Sequence, residues 1–307
     1  MADYVKAKIF LRQQFFTDNN MALQIKFGVT TWLWTSPFTT ASVHEIFSKI
    51  RAMGFDAVEI AAEDPLLIDA TVVKQALVTY DLQAVICGAF GPSRDLTNDD
   101  VSVQNNCFDY IRSCFDLCNK LGTSFLAGPM YSAVGKARMI PDEQRKMEWE
   151  LAVKNLYKVA QMAADHNLQI ALEPLNRFES DLVNTTDDVL RLINDINHPA
   201  AKIMLDGFHM NIEERDVEKA IVSAGSKLIH FQVSENYRGT PGTGQTRWDA
   251  YKRGLEAINY NGIVSIESFT PENKELAGAV CFWHPMAENQ DDFARDGLRF
   301  LKGLFGG

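Results

Sequence analysis

The strongest constraint on the fold of this chain is a regular alternation of strand-like and helix-like segments. Eight short apolar runs are separated by stretches in which apolar residues recur at three- and four-residue spacing, as they do in amphipathic helices. Several of these stretches close on a glycine just before the next run, which is typical of a helix end. The runs are IKFGVTT (25–31), DAVEIAA (56–62), LQAVICGA (82–89), SFLAGPM (124–130), LQIALEP (168–174), AKIMLDGF (201–208), KLIHFQVS (227–234) and GIVSIES (262–268).

Eight strand–helix units predict an α/β protein, a (β/α)8 TIM barrel with a parallel sheet and right-handed crossovers. An open, doubly wound sheet is the alternative fold. The first run continues as FGVTTWLW, which lacks a glycine-rich phosphate loop, so nucleotide binding has no support there. Because barrels of about 250 residues fold as one unit, we predict a single barrel domain over residues 21–307. Residues 1–20 are predicted to be an N-terminal extension, disordered or upstream of an alternative start.

Charge and cysteine content limit which partners and which cellular compartment are expected. The chain carries 30 Lys and Arg against 40 Asp and Glu, a net charge of −10, which disfavours nucleic acid and anionic membranes as partners. No run approaches the ~18 apolar residues of a membrane span. The cysteines number five, an odd count, and are interpreted as reduced thiols. We therefore expect a cytoplasmic protein.

Carboxylates stand at three predicted strand ends. Glu173, Asp206 and Glu267 close the fifth, sixth and eighth runs, and the seventh run carries His230 and Gln232. Active sites of such barrels lie at the carboxyl ends of the strands. Three desolvated carboxylates would raise one another's pKa, so a cation, Mg²⁺ or Mn²⁺, is the simplest compensation. For any single carboxylate, an ion pair with a Lys or Arg of a neighbouring loop is the alternative.

Four segments carry a resemblance to a known family: EPLNRFE (173–179), LDGFHMNIEE (205–214), ENYRGTPGTG (235–244) and IESF (266–269). From about Met21 to the C-terminus the chain resembles the sugar isomerase/epimerase superfamily with a xylose-isomerase-like barrel, in particular the D-tagatose and D-psicose (allulose) 3-epimerases. The resemblance implies an isomerase that epimerises a keto-sugar through an enediolate. It also implies a divalent metal, usually Mn²⁺ but also Mg²⁺ or Co²⁺, and a homodimer or homotetramer.

The resemblance also assigns roles to residues. Glu173 and Glu267 would both ligate the metal and act as the acid/base pair, one removing a proton and the other returning it to the opposite face. Asp206 would be a further metal ligand. Three residues would contact the substrate's oxygens: Glu179, His209 and Arg238.

The seventh run departs from the family pattern, which has H-x-H with the second histidine on the metal. Here Gln232 stands at that position. His230 lies on the same face but about 7 Å deeper along the strand. We therefore expect the Gln232 carbonyl as the fourth ligand and His230 as a buried, hydrogen-bonded residue, with His230 or water as the alternative ligand. An all-oxygen site favours Mg²⁺ or Mn²⁺ over Zn²⁺.

Three other functions share this barrel. The first is a metal-dependent lyase or deglycosidase acting on a 3-oxo-glycoside, and the second is a non-catalytic sugar-binding barrel, for which the glutamine is the only support. A DNA-repair enzyme resembling endonuclease IV would need a histidine-rich zinc site and a basic face, which six histidines and a charge of −10 disfavour. His284 has no derived role. Aromatic residues expected to wall the pocket are Trp32, Trp34, Phe38, Phe90, Phe208, Phe269 and Trp283.

Overall fold

The computed structural model of the protein describes residues 23–306. Within this range eight parallel strands close into a barrel in which the eighth strand pairs with the first. All eight fall inside the predicted runs, so the barrel is confirmed and the open doubly wound sheet is wrong. The predicted extension, residues 1–20, lies outside the described residues. The strands are β1 (Lys26–Thr30), β2 (Ala57–Ala62), β3 (Gln83–Gly88), β4 (Phe125–Gly128), β5 (Gln169–Leu172), β6 (Ala201–Asp206), β7 (Leu228–Val233) and β8 (Ile263–Ile266).

Ten α-helices of the described range surround the barrel. Two of them are short additions: α6 (Gly207–Glu213) lies between β6 and α7 (Val217–Ala224), and α9 (Lys274–Ala279) lies between β8 and α10 (Gln290–Phe305). None of the helices in residues 23–306 has the length and apolar character needed to cross a membrane. The helices are α1 (Val43–Met53), α2 (Ala70–Tyr80), α3 (Val101–Leu121), α4 (Asp142–Asp165), α5 (Thr186–Ile196), α6 (Gly207–Glu213), α7 (Val217–Ala224), α8 (Trp248–Ala257), α9 (Lys274–Ala279) and α10 (Gln290–Phe305).

Local sequence explains where the helices begin and end. The Asp69 and Asp100 side chains accept backbone N–H bonds from the first turns of α2 and α3, and Thr185 forms a capping box with Asp188 at the start of α5. Gly54 and Gly122 end α1 and α3 with φ of 92° and 82°, where a side chain would be strained. These residues therefore mark where the helices meet the loops that lead to and from the strands.

The apolar core lies mainly between the strands and the helices, with large side chains such as Phe47, Phe115 and Phe231 fully buried. A smaller cluster of Ala127, Ala171 and Met204 packs with Phe125, whose ring lies 5.6 Å from the ring of a buried histidine, His230. The strands therefore also enclose polar groups, and these lie directly beneath the mouth of the barrel.

Candidate active site at the mouth of the barrel

The structure brings the three predicted carboxylates to one end of the barrel. Asp206 is the last residue of β6, while Glu173 and Glu267 directly follow β5 and β8. All three are at most 5% exposed, although a carboxylate is rarely buried without partners. Asp206 is also the register partner of Gln232 on β7. Four consecutive strands, β5 to β8, thus each place one oxygen-bearing side chain at this end.

Burial and mutual repulsion set the charge state of this group. Burial raises the pKa of Glu173 well above the usual carboxyl value of 4.5, and the nearby Glu267 and Asp206 carboxylates raise it further. Burial likewise raises the pKa of Glu267, although Arg238 opposes the shift. Burial alone would raise the pKa of Asp206 as well, but Arg238 and His209 outweigh it and lower that pKa. The site therefore holds two carboxyls that retain protons readily and one that stays ionised.

Arg238 is held in place by two of the three carboxylates and by an aromatic ring. Its Nη1 donates to Asp206 Oδ2 at 2.6 Å and to Glu267 Oε2 at 2.7 Å, and its guanidinium lies over the Phe208 ring, 4.0 Å from the centroid. The Arg238 backbone is left-handed (φ 63°), and its carbonyl accepts a bond from Ser268 Oγ. The ion pair that we considered as an alternative for a single carboxylate is thus formed by two of the three.

His209 presents a donor to the site. Its Nδ1 accepts the backbone N–H of Asn176 at 3.1 Å, and burial lowers the pKa of the imidazole, so the neutral ring carries its proton on Nε2. This Nε2 lies 3.6 Å from Glu173 Oε1 and 3.7 Å from Asp206 Oδ2. The 3.3 Å approach of Arg238 Nη2 joins two donors and is therefore a contact rather than a hydrogen bond.

By distance, Glu173, Asp206 and His209 could hold a divalent cation, because one ligating atom from each lies within 4.8 Å of the others. The tautomer of His209 argues against its use as the third ligand, since its free nitrogen faces Asn176. The carboxylates are the better donors for a cation at this point. Glu179 lies at the edge of the group, where its Oε1 accepts from Asn176 Nδ2 at 2.7 Å.

A residue that the sequence analysis missed lies below Gln232. Glu59 of β2 is fully buried and accepts a hydrogen bond from His230 Nε2 at 2.7 Å and another from Gln232 Nε2. Gln232 Nε2 also donates to Glu267 Oε1 at 3.1 Å. Within residues 23–306, Gln232 Oε1 has no hydrogen-bond partner. The signal for Glu59 was present in the sequence as the one charged residue of the buried strand AVEIAA.

A cavity of about 430 Å³ opens above the carboxylates. Of the predicted aromatic residues, Trp32, Phe90 and Phe269 line it. Phe38 instead belongs to the main apolar core, Trp34 is partly buried and packs against that core, and Phe208 stacks on Arg238. Trp283 and His284 are exposed and are not part of the lining. The cavity lining also includes a second polar group that we did not predict and that is joined by hydrogen bonds: Ser36, Glu63, Arg94 and Asn273.

The raised pKa values predict how stability depends on pH in the absence of metal. Because folded Glu173 and Glu267 bind protons more tightly than the unfolded chain, their contribution is complete below about pH 4.5 and is lost as pH rises through the raised values. We expect the urea concentration at the unfolding midpoint of chelator-treated protein to decrease as the pH is raised from about 5 to about 8. Mn²⁺ should restore more stability at the higher pH. A midpoint that rises over this range, or the same slope in Glu173→Gln/Glu267→Gln, would contradict this.

The fold and this acidic strand-end site together define a (β/α)8 barrel with its functional groups at the carboxyl ends of the strands, as in barrel enzymes. The family described as "Xylose isomerase-like TIM barrel" matches residues 47–304. The chain belongs to this family, as the sequence resemblance predicted.

Named relatives narrow the comparison. The chain is 32% identical over 283 residues to a probable ketose 3-epimerase of Synechocystis sp., covering 92% of this chain and 97% of that protein. It is 30% identical over 281 residues to an L-ribulose 3-epimerase of Methylomonas sp., covering 91% and 97%. A crystal structure of a D-allulose 3-epimerase from Methylomonas sp. in complex with D-allulose superimposes with a TM-score of 0.86 at 29% identity, covering 93% and 99%. The predicted likeness to ketose 3-epimerases is confirmed.

Proposed function

We propose that the protein is a metal-dependent ketose 3-epimerase that inverts a carbon next to a carbonyl by removing a proton and returning it to the opposite face. The observation that carries the proposal is the arrangement on β5 to β8: Glu173 and Glu267 stand on the outer two of four consecutive strands, with Asp206 and Gln232 between them. Inversion needs a proton acceptor and a proton donor on two sides of one carbon. The names of the relatives support the same reaction.

The residues present fit a divalent cation. When Glu173, Asp206 and Glu267 are all ionised, the single guanidinium of Arg238 leaves two of their three negative charges unbalanced. The buried amide oxygen of Gln232, Oε1, has no hydrogen-bond partner among the described residues, and the nitrogen of the same amide contacts Glu267. These four side chains would hold the ion through oxygen alone, which favours Mn²⁺ or Mg²⁺ over Zn²⁺, with Co²⁺ as a further possibility. When bound, the cation supplies Lewis-acid polarisation of the substrate carbonyl.

The proton-transfer roles follow from the pKa shifts. A general acid or base works best when its pKa lies near the working pH, and burial shifts the pKa of both glutamates in that direction. Glu173 would take the proton from one face of the substrate carbon, and Glu267 would return one to the other face. In the reverse reaction the two exchange roles.

Three residues would hold the substrate's oxygens. His209 offers its Nε2–H beside Glu173, and Arg238 offers a guanidinium fixed by Phe208. Donors fixed in advance in a dry pocket stabilise the negative oxygens of an enediolate most. Glu179, at the edge of the cavity, would accept a hydroxyl hydrogen bond.

The test is an NMR experiment in D₂O with free ketoses, such as D-allulose and L-ribulose, and with 3-oxo-glycosides, each with and without Mn²⁺. We expect Mn²⁺-dependent deuterium incorporation at C3 of a ketose together with inversion at that carbon. Release of an aglycone from a 3-oxo-glycoside would indicate the lyase instead. Binding of a ketose without exchange at any carbon would indicate a non-catalytic sugar-binding barrel. Either result would overturn the proposal.

A further inference from the structure

A buried polar network crosses the interior of the barrel beneath the proposed metal site. Glu59 lies on β2, whereas His230 and Gln232 lie on β7, and β1 and β8 separate these strands around the barrel. All three side chains are fully buried. Glu59 Oε2 accepts from His230 Nε2, and Glu59 Oε1 accepts from Gln232 Nε2. One carboxylate on the far side of the barrel therefore holds both polar residues of β7.

The chemistry of the amide makes this contact directional. Gln232 has one nitrogen, which can only donate, and one oxygen, which can only accept. Its nitrogen is used by two carboxylates, Glu59 and Glu267. Turning the amide over would place its oxygen against the oxygens of Glu59 and Glu267, which accept but do not donate when these carboxyls are ionised, as metal ligation requires of Glu267. The network therefore leaves the oxygen, and not the nitrogen, free for a cation.

The free-energy cost of burying this network indicates that it does more than stabilise the fold. A fully buried carboxylate is costly to desolvate, and replacing buried ionic groups by apolar residues is often neutral or stabilising. Small residues such as Ala127 and Ala171 fill other interior positions of the same barrel. Apolar side chains at positions 59, 230 and 232 together would therefore serve stability alone at least as well as the polar network does.

We propose that Glu59 is a positioning residue of the metal site: by accepting a hydrogen bond from the Gln232 amide nitrogen, it keeps Gln232 Oε1 directed to the cation. The inference rests on the proposed function, because it assumes that a cation binds between Glu173, Asp206 and Glu267. A histidine ligand is usually oriented by a hydrogen bond from its second ring nitrogen. In this chain the amide nitrogen of Gln232 would play that part by donating to Glu59. His230 in turn orients Glu59 by donating to its other oxygen.

The experiment measures Mn²⁺ affinity by calorimetry for the wild type and for Glu59→Gln. Loss of an orienting partner weakens metal binding by about 10–100-fold, and we expect a loss in this range. Glu148→Gln is the matched control. It removes another buried carboxylate, one that pairs with Arg138 and Lys136, and its Mn²⁺ affinity should stay at the wild-type value.

A double-mutant cycle separates orientation from simple loss of charge. If Glu59 acts through Gln232, then Glu59→Gln should change Mn²⁺ affinity by no more than about twofold in the Gln232→Ala background. An effect of equal size in both backgrounds would mean that Glu59 acts only by its charge, and it would overturn the inference. So would wild-type affinity in Glu59→Gln.

The remaining outcomes are decisive as well. If Glu59→Gln does not fold, Glu59→Asp retains the charge but withdraws the acceptor by one methylene, and unchanged Mn²⁺ affinity in it would equally overturn the inference. If the wild type itself binds no Mn²⁺, the proposed function fails together with the inference. Tight binding by the wild type and by Glu59→Gln alike would overturn the inference alone.

Discussion

Replacing Glu173 by glutamine is expected to slow epimerisation by about 10³-fold, within the range known for loss of a general acid or base. The amide cannot accept a proton, and the raised pKa that suits Glu173 to proton transfer disappears with the carboxyl group. The change also removes one of the negative charges that would hold the cation. The measurement is the rate of C3 inversion by NMR at saturating Mn²⁺, together with the metal content of the purified variant.

The same variant tests the division of roles between the two glutamates. Glu267 remains, so one of the two epimers should still exchange its C3 hydrogen with solvent deuterium more rapidly than it is inverted. Glu45→Gln is the control, because Glu45 is exposed on α1 and forms a surface ion pair with Lys49. Inversion at more than about a tenth of the wild-type rate in Glu173→Gln would rule out Glu173 as an essential acid or base.

The Asp206→Ala variant is expected to lose Mn²⁺ binding and about 3–5 kcal/mol of stability. Asp206 is fully buried, accepts from Arg238 Nη1 at 2.6 Å and caps α6 by accepting the backbone N–H of Phe208 at 2.9 Å. Its pKa is lowered despite burial, so its ionised form is favoured in the folded protein. Without it, Arg238 retains only Glu267 as an ion-pair partner among the described residues. Urea unfolding in chelator and calorimetry with Mn²⁺ measure the two effects.

Asp216→Ala provides the matched control for this loss. Asp216 caps α7 in the same manner, by accepting the backbone N–H of Lys219, but its side chain is 45% exposed and lies away from the cavity lining. We expect it to lose only about 1 kcal/mol, the usual value of a helix cap, with unchanged Mn²⁺ affinity. Full metal binding in Asp206→Ala would exclude Asp206 as a ligand.

The positions of the strand-end residues could be predicted because they depend on short-range pattern. Glu173, Asp206 and Glu267 each follow a run of apolar residues, and parallel strands in a barrel end at the same rim. The depth of His230 relative to Gln232 also follows from the spacing along one strand, and β7 places them as expected. These inferences need only the rise per residue and the alternation of side chains.

Contacts across the barrel could not be obtained in this way. Glu59 and Gln232 are 173 residues apart, and no local signal states which strands face each other across the interior. The same holds for Arg238, which the resemblance assigned to the substrate and which the structure also pairs with two carboxylates. Of the aromatic residues expected to line the cavity, Phe38 lies in the apolar core and Trp34 packs against it. Their positions could not be predicted because the path of a loop depends on tertiary packing rather than on the local sequence pattern.

Eight alternations of strand and helix, readable along the chain, predict a parallel barrel, and the residue that closes each apolar run shows which carboxylates reach the strand ends. Pairing of the first strand with the eighth and the balance of those charges follow only from the folded structure. That balance depends on distances between side chains from different strands: Arg238 against Asp206 and Glu267, and Glu59 against Gln232. Electrostatic energies in a buried site vary steeply with such distances, and closure of the barrel is what sets them.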